Sequence, residues 1–153
     1  MAPDCVLTFE PLRAQTLEWL PLAVRFKLDA CCLKVQLEDW RHLPHAEREA
    51  LLVCPAGMAF EDLVLALVPH ARRLPERAAA AQCALHVALA EALSLPAESA
   101  MRLEKWLRGI SPYERYLLRK VLLSLPEDAR QSAFLELVPA RLRLAHEVAG
   151  AAA

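Results

Sequence analysis

The stretch PLAVRFKLDACC, at residues 21–32, sets a guanidinium, an ammonium, a carboxylate and a thiol on alternate positions: Arg25, Lys27, Asp29 and Cys31. A guanidinium can grip a carboxylate or phosphate with two parallel N–H bonds, which makes Arg25 the natural centre of a recognition strip. Arg25 and Asp29 also stand four apart, the spacing of an intrahelical ion pair. Leu22, Val24, Phe26 and Leu28 interleave with them, so a helix here would be apolar on two sides. Charges on such a helix are costly unless paired. Two readings follow. In the plainer one Arg25 pairs with Asp29 on an edge and Lys27 is solvated. In the sharper one Arg25, Lys27, Asp29 and Cys31 form a docking strip for a protein partner.

Other reactive types are present without the spacing that would make them work together. His42 and His45 are three apart, with Cys54 downstream, but Pro44 breaks the helical face they would share, so both are read as solvated. His86, in an alanine-rich run with Gln82 one turn earlier, is read as a hydrogen-bonded, partly buried residue. The five cysteines form no CxxC and no finger-like spacing with histidine. The neighbours Cys31 and Cys32 could close a strained vicinal disulfide, but free cysteine is more often a small buried hydrophobe, and inert thiols are expected. With three glycines there is no GxGxxG, no GxxxxGK[ST] and no nucleophile elbow. No catalytic residue, metal ligand or cofactor is therefore assigned, and an enzyme is disfavoured.

The balance of 24% charged residues at a formal net charge of −1 gives no basic surface for nucleic acid. No run approaches a membrane span, and MAPDCVLTFEP has an acid and a proline where a signal peptide is basic and then apolar. The expectation is a cytoplasmic protein of no assigned oligomeric state.

A second kind of signal is repetition. LEDWRHLPHAER, at Leu37–Arg48, returns as LEKWLRGISPYER, at Leu103–Arg115. Both copies carry a Trp (Trp40, Trp106), then Glu-Arg (Glu47-Arg48, Glu114-Arg115), then an apolar residue three further on (Leu51, Leu118). A single active site seldom needs its parts twice, so Trp40, Glu47, Arg48, Trp106, Glu114 and Arg115 are read as structural anchors. A helix–turn–helix unit with one indole cannot cover its own apolar face, and two such units can bury each other.

The elements that would carry these residues read as helices. With 153 residues, 56% of them hydrophobic, the chain can bury a core without staples. Eleven prolines punctuate it, and Pro21, Pro75, Pro112, Pro126 and Pro139 each suit a first helical position. Ser111-Pro112-Tyr113-Glu114 reads as a capping box, with Gly109 ending the preceding helix in a left-handed turn. Helices are expected at 37–43, from Pro44 to Cys54, at 59–68, at 76–93, and in PEDARQSAFLELV and PARLRLAHEVA. The segment 21–37 is ambiguous, because Val24, Phe26, Leu28 and then Leu33, Val35, Leu37 alternate as in strands. A helix is favoured over 21–31, with any extended structure at Leu33–Leu37. The fold class is all-α: one compact multi-helix domain over 1–148, with two Trp-centred helix–turn–helix units near 21–54 and 95–125, and a frayed tail at 149–153.

The block LPLAVRFKLDACCLKVQLEDWRHLPHAEREAL resembles the N-terminal signature of the nitrate-reductase-associated protein family. ISPYERYLLRKV resembles the same family's later Trp-then-Ser-Pro-x-x-Arg block. The resemblance covers about residues 17–52 and 103–122. It implies a small cytoplasmic accessory protein that helps a molybdenum-dependent assimilatory nitrate reductase become active by binding it. The alternatives are a carrier of molybdopterin or metal, and a helical regulatory adaptor for another partner. Where the family pattern has Cys-Gly, this chain has Cys31-Cys32. A glycine there would supply positive φ, which cysteine adopts only with strain, so the turn after Cys31 is expected to be built differently here.

Overall fold

A computed structural model describes residues 1–75, 85–92 and 97–138. These are mostly helical, as expected. The first parts of the 76–93 helix (with Gln82 and Cys83), the 139–149 helix (with His146) and the tail at 149–153 lie outside the described residues. Two compact units divide the chain, Met1–Ala78 and Ala79–Ala153.

The first unit runs α1 (Leu12–Gln15), α2 (Leu22–Ala30), β1 (Leu33–Lys34), α3 (Leu37–His42), α4 (His45–Val53), α5 (Met58–Leu67) and β2 (Arg72–Arg73). The ambiguous segment resolves as a helix followed by a short strand. α2 buries Ala23, Val24, Lys27 and Leu28, which at this spacing form one helical face. The strand-like alternation arises because position 27, where the helical period calls for an apolar residue, is a lysine. β1 pairs antiparallel with β2, setting Leu33 opposite Arg73 and Lys34 opposite Arg72. The core gathers Leu17, Leu20, Val24, Leu28, Leu33, Trp40, Leu43, Leu51, Phe60, Val64 and Val68.

Both ends of α2 are closed by unusual means. Its N-cap is Pro21, which has neither N–H nor side-chain acceptor. The missing cap comes from Glu10, a buried carboxylate whose Oε2 accepts from the Leu22 N–H at 2.8 Å and whose Oε1 accepts from the Leu7 N–H at 3.0 Å. A negative group is favoured at that helix end by the exposed N–H groups and the dipole. At the other end Cys32 holds φ +54°. It occupies the position where the resemblance has glycine, so the expectation of a differently built turn does not hold: the left-handed conformation is kept and cysteine carries its strain.

The second unit holds α6 (Leu85–Ala92), α7 (Ala97–Gly109), α8 (Pro112–Ser124) and α9 (Glu127–Leu137). α6 packs on α7 and α8, and α8 on α9. Leu89, Leu103, Leu107, Leu117, Leu118, Val121 and Phe134 are buried. The capping box at α8 is present as expected: Ser111 Oγ accepts from the Glu114 N–H, and Glu114 Oε2 accepts from the Ser111 N–H at 2.9 Å. Gly109 departs from expectation. It is the last residue of α7 without positive φ, because the Ser111-Pro112 start of α8 ends the helix from the other side. Positive φ in a glycine falls instead at Gly57, the N-cap of α5, at +121°.

The prolines also sit one place earlier than expected. Pro21, Pro44 and Pro126 are N-caps, and only Pro112 of this group takes the first helical position. Each of these three prolines, unlike Pro11 at the start of α1, follows a leucine and precedes an arginine by four, giving Leu-Pro-x-x-x-Arg at 20–25, 43–48 and 125–130. In all three the arginine Nε donates to the carbonyl of that leucine: Arg25 to Leu20 at 3.0 Å, Arg48 to Leu43 at 2.9 Å, Arg130 to Leu125 at 2.9 Å. A proline N-cap cannot supply a capping side chain, and the arginine one turn later ties the incoming chain to the helix instead.

Candidate functional site

The site is built on α2, because that helix carries the residues whose chemistry could reach a partner. Lys27 is the first surprise. It is 1% exposed, and its Nζ donates to three backbone carbonyls at the C-terminal end of α4: Leu51 at 2.8 Å, Leu52 at 2.7 Å and Cys54 at 2.8 Å. The last carbonyls of a helix lack intrahelical partners and carry partial negative charge. An ammonium has three donors, and here each finds one acceptor. The Phe60 ring stands 4.9 Å away and faces the cation with its π surface. Burial pushes the Lys27 pKa down to about 8, opposed by attraction to Cys54 and Asp4. Lys27 is thus neither solvated nor on a docking strip. It is an interior clamp between α2 and α4.

Arg25 and Asp29 remain exposed, and among the described residues no ion pair joins them. The expected i,i+4 pair is replaced by the Arg25 Nε bond to Leu20, which fixes the guanidinium and leaves its Nη groups at the surface. Cys31 is half-buried, with Sγ donating to the Leu28 carbonyl at 3.4 Å, and burial raises its pKa. Its thiol is accordingly a poor nucleophile.

Trp40 is 1% exposed, and its Nε1 donates to the Leu17 carbonyl at 2.8 Å. Arg48 Nη1 donates to the same oxygen at 2.8 Å, while Nη2 reaches the Arg41 carbonyl at 3.4 Å. Leu17 is itself in the left-handed region, φ +58°, and its side chain is buried. The indole and the guanidinium therefore hold a strained turn of the N-terminal segment against α3 and α4. Glu47 is a half-buried first-turn residue of α4.

The second copy reproduces part of this. Arg115 Nη2 donates to the Arg108 carbonyl at 3.2 Å, seven residues back, as Arg48 does to Arg41. Arg115 Nε has no hydrogen-bond partner, where Arg48 Nε holds Leu43. The difference follows from the start of the helix. Ser111 caps α8 with its own side chain, so the arginine latch is not needed. Trp106 is half-buried, unlike Trp40.

Among the described residues the histidines do not converge on a shared site. His42 Nδ1 is 2.7 Å from the Glu38 carbonyl and His45 Nδ1 is 3.6 Å from Glu49. Among the described residues no three metal-ligating side chains gather, and no helix is long and apolar enough to cross a membrane.

Glu10 was not singled out in the sequence, since nothing local marks a carboxylate that caps a helix twelve residues on. The arginine latches did leave a signal, the threefold Leu-Pro-x-x-x-Arg.

The described residues form an internally braced helical scaffold whose exposed charged groups include Arg25 and Asp29. A family model described as conserved nitrate reductase-associated protein matches residues 6–137, and the chain belongs to that family. The matched region is continuous across the two blocks that carried the resemblance. Neither the curated proteins nor the solved structures contain a match.

Proposed function

We propose that this chain is an accessory factor for maturation of a cytoplasmic, molybdenum-dependent assimilatory nitrate reductase, acting by protein–protein binding and turning over no substrate. The family places it in association with nitrate reductase. The observation that carries the finer reading is how the polar side chains are used. Lys27, Glu10, Trp40 and Arg48 spend their hydrogen bonds inside the fold, on carbonyls and N–H groups. Arg25 is held by its Nε and offers its outer N–H groups, beside Asp29, at the surface. A pre-oriented guanidinium binds a partner carboxylate with less ordering cost than a free one. In this reading the chain holds the apo-reductase in a cofactor-receptive state.

The test is retention of the reductase by tagged chain, in apo and holo forms. Wild type is expected to retain the apo form, and Arg25→Ala and Asp29→Ala to lose it without losing helicity by circular dichroism. Retention of neither form by wild type overturns the proposal. Stoichiometric metal or phosphorus in the purified protein would favour a carrier instead.

A further inference from the structure

The β1–β2 ribbon breaks a rule of sheet pairing. Lys34 and Arg72 stand directly opposite one another and both are exposed. Opposed residues of an antiparallel pair have Cβ atoms about 5 Å apart, and like charges there are destabilising. The other opposed pair shows the alternative. Leu33 is buried in the core, and Arg73 is neutralised by Glu61 of α5. Among the described residues neither Lys34 nor Arg72 has an acidic partner.

The ribbon is also well braced. The Leu74 N–H donates to the Cys32 carbonyl at 2.7 Å, Leu33 anchors one side, and the Glu61–Arg73 pair ties the other to α5. Two cations with no acidic partner among the described residues thus sit side by side on a braced support, in a chain whose formal net charge is −1. A local arrangement that costs stability and returns no internal contact marks a surface kept for binding.

We propose that Lys34 and Arg72 form a docking point for an acidic segment of a protein partner, two or more carboxylates within a few residues. The segment's carboxylates complement the two cations and remove their repulsion. The proposal rests on the reading of the chain as a binding protein and adds a surface distinct from Arg25 and Asp29.

The probe is a labelled hexaglutamate peptide, with hexaglutamine as control and phosphatidylserine vesicles as a competing anionic surface, followed by fluorescence anisotropy and co-sedimentation with the full chain. Hexaglutamate is expected to bind, more weakly as salt rises. Arg72→Glu and Lys34→Glu should each weaken it by about tenfold or more. Each reversal also creates an opposite-charge pair across the ribbon, so Tm should rise. Unchanged affinity in either variant, equal binding of hexaglutamine, or Arg72-dependent binding to vesicles but not to hexaglutamate overturns the proposal. A fall in Tm on reversal removes its premise. A chain that retains the reductase yet ignores hexaglutamate loses this surface alone. One that binds hexaglutamate through the ribbon yet never retains the reductase keeps the surface and loses the maturation role.

Discussion

Lys27 shows how one residue can set a local structure that its neighbours do not explain. Replacing its ammonium by a thioether, Lys27→Met, keeps most of the volume and strands three carbonyls in the interior. The loss should be about 3 kcal/mol by urea unfolding. The pH dependence has a definite sign. The folded pKa, about 8, lies below the ordinary lysine value, so the unfolded chain binds the proton more tightly. The Lys27 contribution therefore makes stability rise with pH from about 8 towards the ordinary value, and Lys27→Met should flatten that rise. Cys32 gives a second test. Relief of left-handed strain by Cys32→Gly outweighs the entropy of a freer unfolded chain by roughly 0.5 kcal/mol, whereas Cys32→Val should destabilise, both seen as shifts in the urea midpoint. The left-handed conformation at Cys32 was not legible in the sequence, where a cysteine in place of the family's glycine argued for a differently built turn. Nor was the lysine's burial, because a lysine on an apolar helix face normally reaches out to water, and its acceptors lie 24 to 27 residues away.

At the scale of elements, two kinds of helix start stand out. α8 uses a serine–glutamate box, and α2, α4 and α9 use a proline followed by an arginine latch. Ser111→Ala should cost about 1 kcal/mol by thermal or urea unfolding. Glu114 is partly buried, which works against its charge, but the hydrogen bonds from Ser111 hold its pKa below the ordinary value. Its contribution is present above the ordinary glutamate pKa and fades as pH falls through the lowered one, a loss Glu114→Gln should abolish. Arg48→Met should cost about 2 kcal/mol, since it frees the Leu43 carbonyl and leaves the Leu17 carbonyl with Trp40 as its one remaining side-chain donor. Arg25→Met should cost under about 1 kcal/mol, its guanidinium being exposed. Helix existence and the Leu33 strand were legible from period and proline spacing. The strand's partner was not, because two residues at Arg72–Arg73 carry no periodicity of their own.

For the whole molecule, the chemistry-bearing side chains divide by use. Those that close helices and turns face inward, and the exposed charges include Arg25, Asp29, Lys34 and Arg72. Purified protein should carry no stoichiometric metal or phosphorus, checked by elemental analysis, if it works by contact alone. Binding to its partner should weaken steeply with salt, because exposed charge pairs are screened within about 10 Å at 0.1 M ionic strength.

What the sequence determined by itself was the helical class, the capping box, and the family, through the long block from Pro21 to Arg48. Each is written in short-range terms, as periods of three and four or as a motif of fixed spacing. Tertiary structure alone decided that Lys27 belongs to the interior, that Glu10 caps α2, and that Lys34 meets Arg72. Those outcomes join residues 12 to 38 positions apart, and a hydrogen bond or charge contact over such a separation exists only once the chain has folded back on itself.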